Sequence, residues 1–304
     1  MKDFLKIYYT YEKELYEMRK LDFADMIDMC YELLDKNRAV LLKYQNLFRY
    51  ILVDEFQDIN KSQYRLVRLI CKSSNFFVVG DDDQSIYSFR GSMPRVMKDF
   101  LDDYRGATKI CLDRNYRSKT NIVEVSKKLI DCNKLRFKKE LSADDKRVGY
   151  IEVKKFVDSR DEDSYIVSKI KRYMQEGFAM KDMAILYRVN QLANSLTQDL
   201  EKSGIRYRVK TDVDESDIDA VSLMTFHLSK GLEFKIVFII DANDGITPHK
   251  KSIKTYELET ERRLFYVAMT RAKSKLHVYF TTRRFGKNYK ASRFILEALG
   301  GFDE

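Results

Sequence analysis

The sequence predicts an α/β fold built on parallel strands. Short apolar runs such as Ile51-Leu52-Val53 and Ile236 to Ile240 alternate with segments of helical period, several of them closed by a glycine. The first two strands end in acid, at Asp54-Glu55 and at Gly80-Asp81, and open α/β sheets bind ligands at the carboxyl ends of their strands.

Each element has its own signal. In the first fifty residues Phe23, Met26, Ile27, Cys30, Leu33 and Leu34 follow the i, i+3, i+4, i+7 pattern of a helix, and Asp22 stands ready as its cap. Strand 51–53, helix 62–71 and strand 76–79 form a βαβ unit. Ser92-Met93-Pro94 reads as a helix start, because proline loses nothing at an early helical position. Further strands are expected at 109–112, 150–156, 183–187, 207–209, 221–225, 236–240 and 275–280. Helices are expected at 119–131, 164–175, 191–202 and 255–272, with Gly177 and Gly204 as stops. Residues 211–219 (Thr-Asp-Val-Asp-Glu-Ser-Asp-Ile-Asp) read as an acidic, solvated connector.

A chain of 304 residues suggests two domains, and 34% charged residues beside 44% hydrophobic ones fit a soluble protein rather than a disordered one. The start, Met1-Lys2-Asp3-Phe4-Leu5-Lys6, does not read as a signal peptide, and the expected compartment is cytoplasmic, with no membrane partner. The four cysteines lie far apart and the three histidines lack ligand spacing, which argues against zinc or disulfides. A net charge of +9 favours a polyanionic partner such as nucleic acid, although solvated lysine alone would explain it equally well.

Two strings carry chemistry. Val53-Asp54-Glu55-Phe56-Gln57-Asp58 puts paired carboxylates at the end of an expected buried strand, where they need a cation or donors to offset desolvation. In phosphoryl-transfer sites such an aspartate holds magnesium and its neighbour positions the attacking water. Gly80 to Gly91 follows, with Gln84 suited to sensing a phosphate or a water. Tyr87 and Phe89 alternate as on one strand face and offer rings for unpaired bases, each stack worth roughly 1–3 kcal/mol.

Read together, these strings resemble motifs II and III of the UvrD/PcrA/Rep-like superfamily 1 DNA helicases. The likeness continues in order through Asn115-Tyr116-Arg117-Ser118 (motif IV), the strand Ala184 to Arg188, Thr225 to Phe234 (motif V) and Glu261 to Ala272 (motif VI). The resemblance implies RecA-like parallel sheets of the P-loop NTPase superfamily. It implies ATP-driven 3′-to-5′ movement on single-stranded DNA, in settings such as DNA repair, with Mg2+ and ATP as cofactors. By the same likeness Asp54 would hold magnesium through water and Glu55 would activate water. Gln84 would couple the γ-phosphate to DNA. Tyr116 would stack on adenine, Gly231 and Glu233 would serve the nucleotide, and Arg117 and Arg271 would reach the γ-phosphate. Tyr87, Phe89, Thr225 and His227 would line the single-stranded DNA track.

Three departures qualify the likeness. No Gly-x-x-x-x-Gly-Lys-[Ser/Thr] occurs, so the phosphate-gripping Walker A loop is missing. Residues 211–219 stand where the family inserts a large domain, and Thr260 replaces a second glutamate in motif VI. The expected organisation is a partial first RecA-like domain over residues 1–105 and a second, complete one over 106–304. The expected function is a portion of a helicase that does not hydrolyse ATP alone. The alternatives are a non-enzymatic single-stranded DNA-binding or partner-binding module, or half of a split helicase completed by a polypeptide bearing the Walker A loop.

Overall fold

The computed structural model describes residues 2–92, 95–210, 218–255 and 257–300. The chain divides into two compact units, Met1–Gly106 and Ala107–Glu304.

The first unit opens with three helices, α1 (Lys2–Glu17), α2 (Phe23–Lys36) and α3 (Arg38–Leu47). Asp22 caps α2 in a reciprocal box with Asp25, and Asn37 caps α3 through Val40 N. Strand β1 (Tyr50–Val53), helix α4 (Lys61–Ile70) and strand β2 (Asn75–Val78) then form the βαβ unit, with β1 and β2 parallel. Helix α5 (Val96–Asp103) closes the unit; the proposed start at Met93-Pro94 lies outside the described residues.

Strand alternation divides this sheet into two unlike faces. Val53, Phe76 and Val78 pack on a core of Phe56, Tyr64, Val96 and Phe100, and Ile51 on the same face is half-buried. The opposite face shows Tyr50, Leu52, Phe77 and Val79 to solvent, with Leu52 69% exposed and directly across from Phe77. The expectation of a buried strand is therefore corrected. Among the described residues β1 and β2 pair only with each other, and Asp54 and Glu55 beyond them are exposed.

The second unit contains β3 (Arg114–Asn115), α6 (Thr120–Ile130), β4 (Ser142–Ala143), β5 (Tyr150–Phe156), α7 (Ser159–Gln175), β6 (Met183–Tyr187) and α8 (Asn194–Lys202). It continues with β7 (Tyr207–Val209), β8 (Val221–Thr225), β9 (Phe234–Ile239), α9 (Glu257–Met269) and β10 (Ala272–Thr281). The hairpin β11 (Arg283–Arg284) and β12 (Lys287–Asn288) and then α10 (Arg293–Leu299) end it. Six strands form one parallel sheet in the order β5-β10-β9-β6-β8-β7. Strand β6 is buried at every position, as expected for a central parallel strand covered on both faces.

Two local expectations are corrected, and a third falls largely outside the described residues. Residues 109–112 form no strand: Ile110 and Leu112 are exposed and nothing among the described residues pairs with them. Helix α7 starts at Ser159 rather than 164, because Asp158 caps Arg160 N and Asp161 N. Of the 211–219 connector, residues 211–217 lie outside the described residues. Among those described, no helix is long and apolar enough to cross a membrane.

Candidate functional site

In the first unit the acid-tipped ends of β1 and β2 are joined by a residue the sequence did not single out. Gln57 is 1% exposed. Its Nε2 donates to Glu55 Oε2, its Oε1 accepts from Asp81 N at 2.8 Å, and its backbone carbonyl accepts from Ser85 Oγ at 3.2 Å. One buried amide thus ties the two strings together. Gly80 makes room for it, since a Cβ there would sit 2.6 Å from Gln57 Oε1. Glu55 adopts φ 49°, ψ 38°, a left-handed conformation that costs an ordinary side chain roughly 1 kcal/mol or more. The strain turns its carboxylate back toward Gln57.

Asp54 accepts from Glu55 N at 2.7 Å through Oδ1. It is exposed, which suits a cation held through water rather than one gripped in a dry cage. Beyond β2, Asp81 caps a short 3₁₀ turn, accepting from Asp83 N at 3.1 Å and from Gln84 Nε2 at 2.8 Å. The Asp81, Asp82 and Asp83 carboxylates lie close together, yet both Asp81 oxygens serve their own loop. Gln84 is therefore fixed by Asp81 and linked to Glu55 by three hydrogen bonds, through Asp81 and Gln57.

Tyr87 and Phe89 do not alternate on a strand, which corrects the sequence reading: Tyr87 leads into a 3₁₀ turn, Ser88–Arg90. The rings nevertheless meet edge to face with centroids 5.9 Å apart. Phe89 is 68% exposed and Tyr87 half-buried, so the pair presents ring surface without losing its footing.

In the second unit two of the singled-out residues, Arg117 and Glu233, meet at the amino end of β9, with Lys273 of β10 beside them. Arg117 Nε donates to Glu233 Oε2 at 2.8 Å, and the Lys273 ammonium contacts the other oxygen of Glu233. Lys273 first and Arg117 second hold the Glu233 carboxyl below its usual value. Asn115 Oδ1 accepts from Arg117 N and Ser118 N, both at 2.9 Å, and Ser118 Oγ donates to Ala272 O. Motif IV is thus fastened to the end of motif VI. Tyr116 is 72% exposed with the Arg114 guanidinium 5.4 Å from its ring centre.

Arg271 is placed differently from an exposed, reaching arginine. It is 1% exposed; Nε donates to Val267 O at 2.9 Å and Nη1 to Leu232 O at 3.1 Å. In this structure it braces the turn that carries Glu233. Gly231, in that turn, has φ +82°, the region where glycine escapes Cβ strain. Thr225 ends β8, its Oγ1 accepting from Leu228 N at 3.3 Å, and half-buried His227 follows it.

Motif VI also does structural work the sequence did not reveal. Arg262 makes paired bonds to Glu297 and a third to Asn133, and Arg263 reaches Leu135 O. Arg188 makes a two-pronged contact with Glu261 at 2.6 and 3.1 Å. These residues hold α9 against α10 and β6. Only their neighbour Arg271 had a functional signal, because charge in a helix motif does not tell surface from core.

Comparison with known proteins agrees with this arrangement. Residues 1–105 match the UvrD/REP helicase N-terminal domain family. Residues 110–214 and 210–283 match the UvrD-like helicase C-terminal domain family, the match breaking at the acidic connector. The ATP-dependent DNA helicase PcrA of Staphylococcus epidermidis is 35% identical over 266 residues, covering 85% of this chain and 36% of that protein. DNA helicase II of Haemophilus influenzae is 34% identical over 209 residues, 68% of this chain and 29% of its own length. PcrA of Staphylococcus aureus is 27% identical over 465 residues, 96% of this chain and 63% of its own. This chain therefore spans less than two thirds of each. A matched span of 465 positions against 304 residues also means that the relative carries internal sequence absent here. Domains of these families have the RecA-like, P-loop NTPase fold, in keeping with the six-stranded parallel sheet. The chain belongs to the UvrD-like helicases.

Proposed function

We propose that the chain is a portion of an ATP-driven 3′-to-5′ DNA translocase, a partial first RecA-like domain over residues 1–105 and a second over 106–304, acting on single-stranded DNA. The observation that carries this reading is the order of motifs II to VI across two matched domains, with motif II fastened to motif III through Gln57. In this reading Glu55 takes the proton of the attacking water, and Gln84, held by Asp81, reports the phosphate to the loop bearing Tyr87 and Phe89. Magnesium, which neutralises phosphate charge when bound, would be held through water by exposed Asp54. Tyr116 offers its open ring to the base, while Gly231 and Glu233 shape the nucleotide-side turn of motif V. Arg117 and Arg271 stabilise transition-state charge, a role worth about 10³-fold or more in rate. For that, Arg117 exchanges Glu233 for phosphate and Arg271 leaves its carbonyl partners. Tyr87, Phe89, Thr225 and His227 form the DNA track.

These 304 residues contain no phosphate-gripping loop, so we expect no ATP turnover from them alone. A polypeptide supplying that loop on further strands would complete the motor. The bare face of β1 and β2, and their outer edges, unpaired among the described residues, support such a partner. A second reading, a DNA-binding module without hydrolysis, is favoured by the engaged state of Arg117 and Arg271. Steady-state ATP hydrolysis with single-stranded DNA separates the readings from an intact motor. Turnover by the chain alone that disappears in Glu55→Gln would contradict both.

A further inference from the structure

At the carboxyl edge of the second sheet, away from every motif assigned above, three acids are sealed inside the protein. Glu162 ends the first turn of α7, Asp163 follows it, and Asp241 follows β9; they are 0, 1 and 0% exposed. The cation facing them is Arg284 of β11, also buried, whose Nη2 lies 2.9 Å from Asp241 Oδ2 and donates to Leu192 O at 2.8 Å. Ser195 Oγ of α8 donates to Asp163 Oδ2, and Asp241 N approaches Glu162 Oε1 at 3.4 Å. Among the described residues, Glu162 Oε2, Asp163 Oδ1 and Asp241 Oδ1 are buried with no hydrogen-bond donor, and Arg284 Nε has no acceptor.

The charge balance of this site does not close with ionised acids. Three carboxylates against one guanidinium would leave an excess of two negative charges in a dry interior. The other charged groups acting on it, Asp199 from α8 and Asp158 at the α7 cap, are acidic too. The α7 amides that would welcome an anion are already taken, since Asp158 accepts from Arg160 N and Asp161 N. Buried charge of this kind is relieved by protonation, which also turns a donorless oxygen into a hydroxyl donor.

We propose that Glu162, Asp163 and Asp241 form a proton-binding site that locks the carboxyl edge of this sheet when protonated and loosens it when the protons leave. Burial pushes Asp163 up to about 6, and burial together with the neighbouring carboxylates raises Glu162 well above the usual range. Asp241 is raised by burial against the opposing pull of Arg284. The folded state thus holds protons that the unfolded chain has released, so this contribution to stability falls as pH rises through the folded-state values. The elements released are those attached to the acids: the loop from Ala242 to Thr255 leading into α9, and the hairpin carrying Arg284.

The test is hydrogen exchange of the full chain between pH 4.5 and pH 8, corrected for intrinsic rates, read on peptides covering 240–255 and 283–292. Local opening should increase by up to about tenfold per pH unit for each proton released. Asp241→Asn should flatten that dependence, and Glu162→Gln should do so independently if the first variant fails to fold. Infrared difference spectra should show a protonated carboxyl band in the wild type at pH 6 that weakens by pH 9. A pH-independent opening, variants that keep the wild-type slope, or no carboxyl band at pH 6 would each overturn the proposal.

Discussion

Replacing Gly80 by alanine should damage the site disproportionately to the size of a methyl group. The new carbon would sit 2.6 Å from Gln57 Oε1, 3.2 Å from Gln57 N and 3.3 Å from Phe56 N. Ordinary contact begins near 3.4 Å, so the buried amide must retreat by about 0.8 Å. Retreat breaks its bond from Asp81 N and disturbs the one to Glu55. A lost buried amide bond costs about 1 kcal/mol and one to a charged acceptor somewhat more, reduced here because Glu55 is exposed. The expected loss is about 2–3 kcal/mol in urea unfolding of the full chain, with faster exchange at the Asp81 amide. In a Gln57→Ala background the clash with Oε1 is gone and only the two backbone nitrogens at 3.2 and 3.3 Å still press on the methyl, so the same substitution should cost less, about 1 kcal/mol. Additivity of the two changes within about 0.5 kcal/mol would refute the claim that this amide joins the two strings.

Other consequences can be measured on the same protein. Arg271→Lys, which cannot reproduce bonds to both Val267 O and Leu232 O, should cost about 2–4 kcal/mol in urea unfolding and raise exchange across residues 229–234. Burial pushes the Glu152 carboxyl up, but donors from His277, Tyr279, Lys169 and Tyr165 outweigh it and hold the group well below the usual range. That stability is present above about pH 4.3 and lost as pH falls below it, so Glu152→Gln should flatten the acid limb of the unfolding-midpoint profile. Leu52→Ser and Phe77→Ser, on the bare face of β1 and β2, should change the stability of the isolated chain by less than about 0.5 kcal/mol. A cost above about 2 kcal/mol would mean that the face is covered in solution.

The parallel α/β architecture was legible because its signals are local. Apolar runs such as Met183 to Tyr187 are buried on both faces and read as strand from any context. The cap at Asp22 acts through its side chain on the nearby Asp25 N, and the stops at Gly177 and Gly204 act through their own backbone. Residues 109–112 misled, because a short apolar run such as Ile110-Cys111-Leu112 reports what could pair, and pairing needs a neighbour that the sequence does not name. Tyr87 and Phe89 were found as exposed ring surface although their assumed strand is a 3₁₀ turn, since an i, i+2 spacing brings rings together in either. Gln57 was missed although it lies within the quoted string. A glutamine's burial depends on what closes over it, here the Gly80–Ser85 loop arriving from β2. For the same reason nothing in the letters distinguished buried His277, packed among Glu152, Tyr173 and Tyr279, from half-buried His227.

The central claim, that a single-stranded DNA track persists in these residues, is tested most directly by titrating the full chain into a fluorescent single-stranded oligonucleotide at low and moderate salt, with and without Mg-ATP. The account predicts salt-sensitive binding that Mg-ATP leaves unchanged and that Tyr87→Ala or Phe89→Ala weakens by about 1–3 kcal/mol each. Absence of binding at low salt, or binding indifferent to both aromatic substitutions, would contradict it.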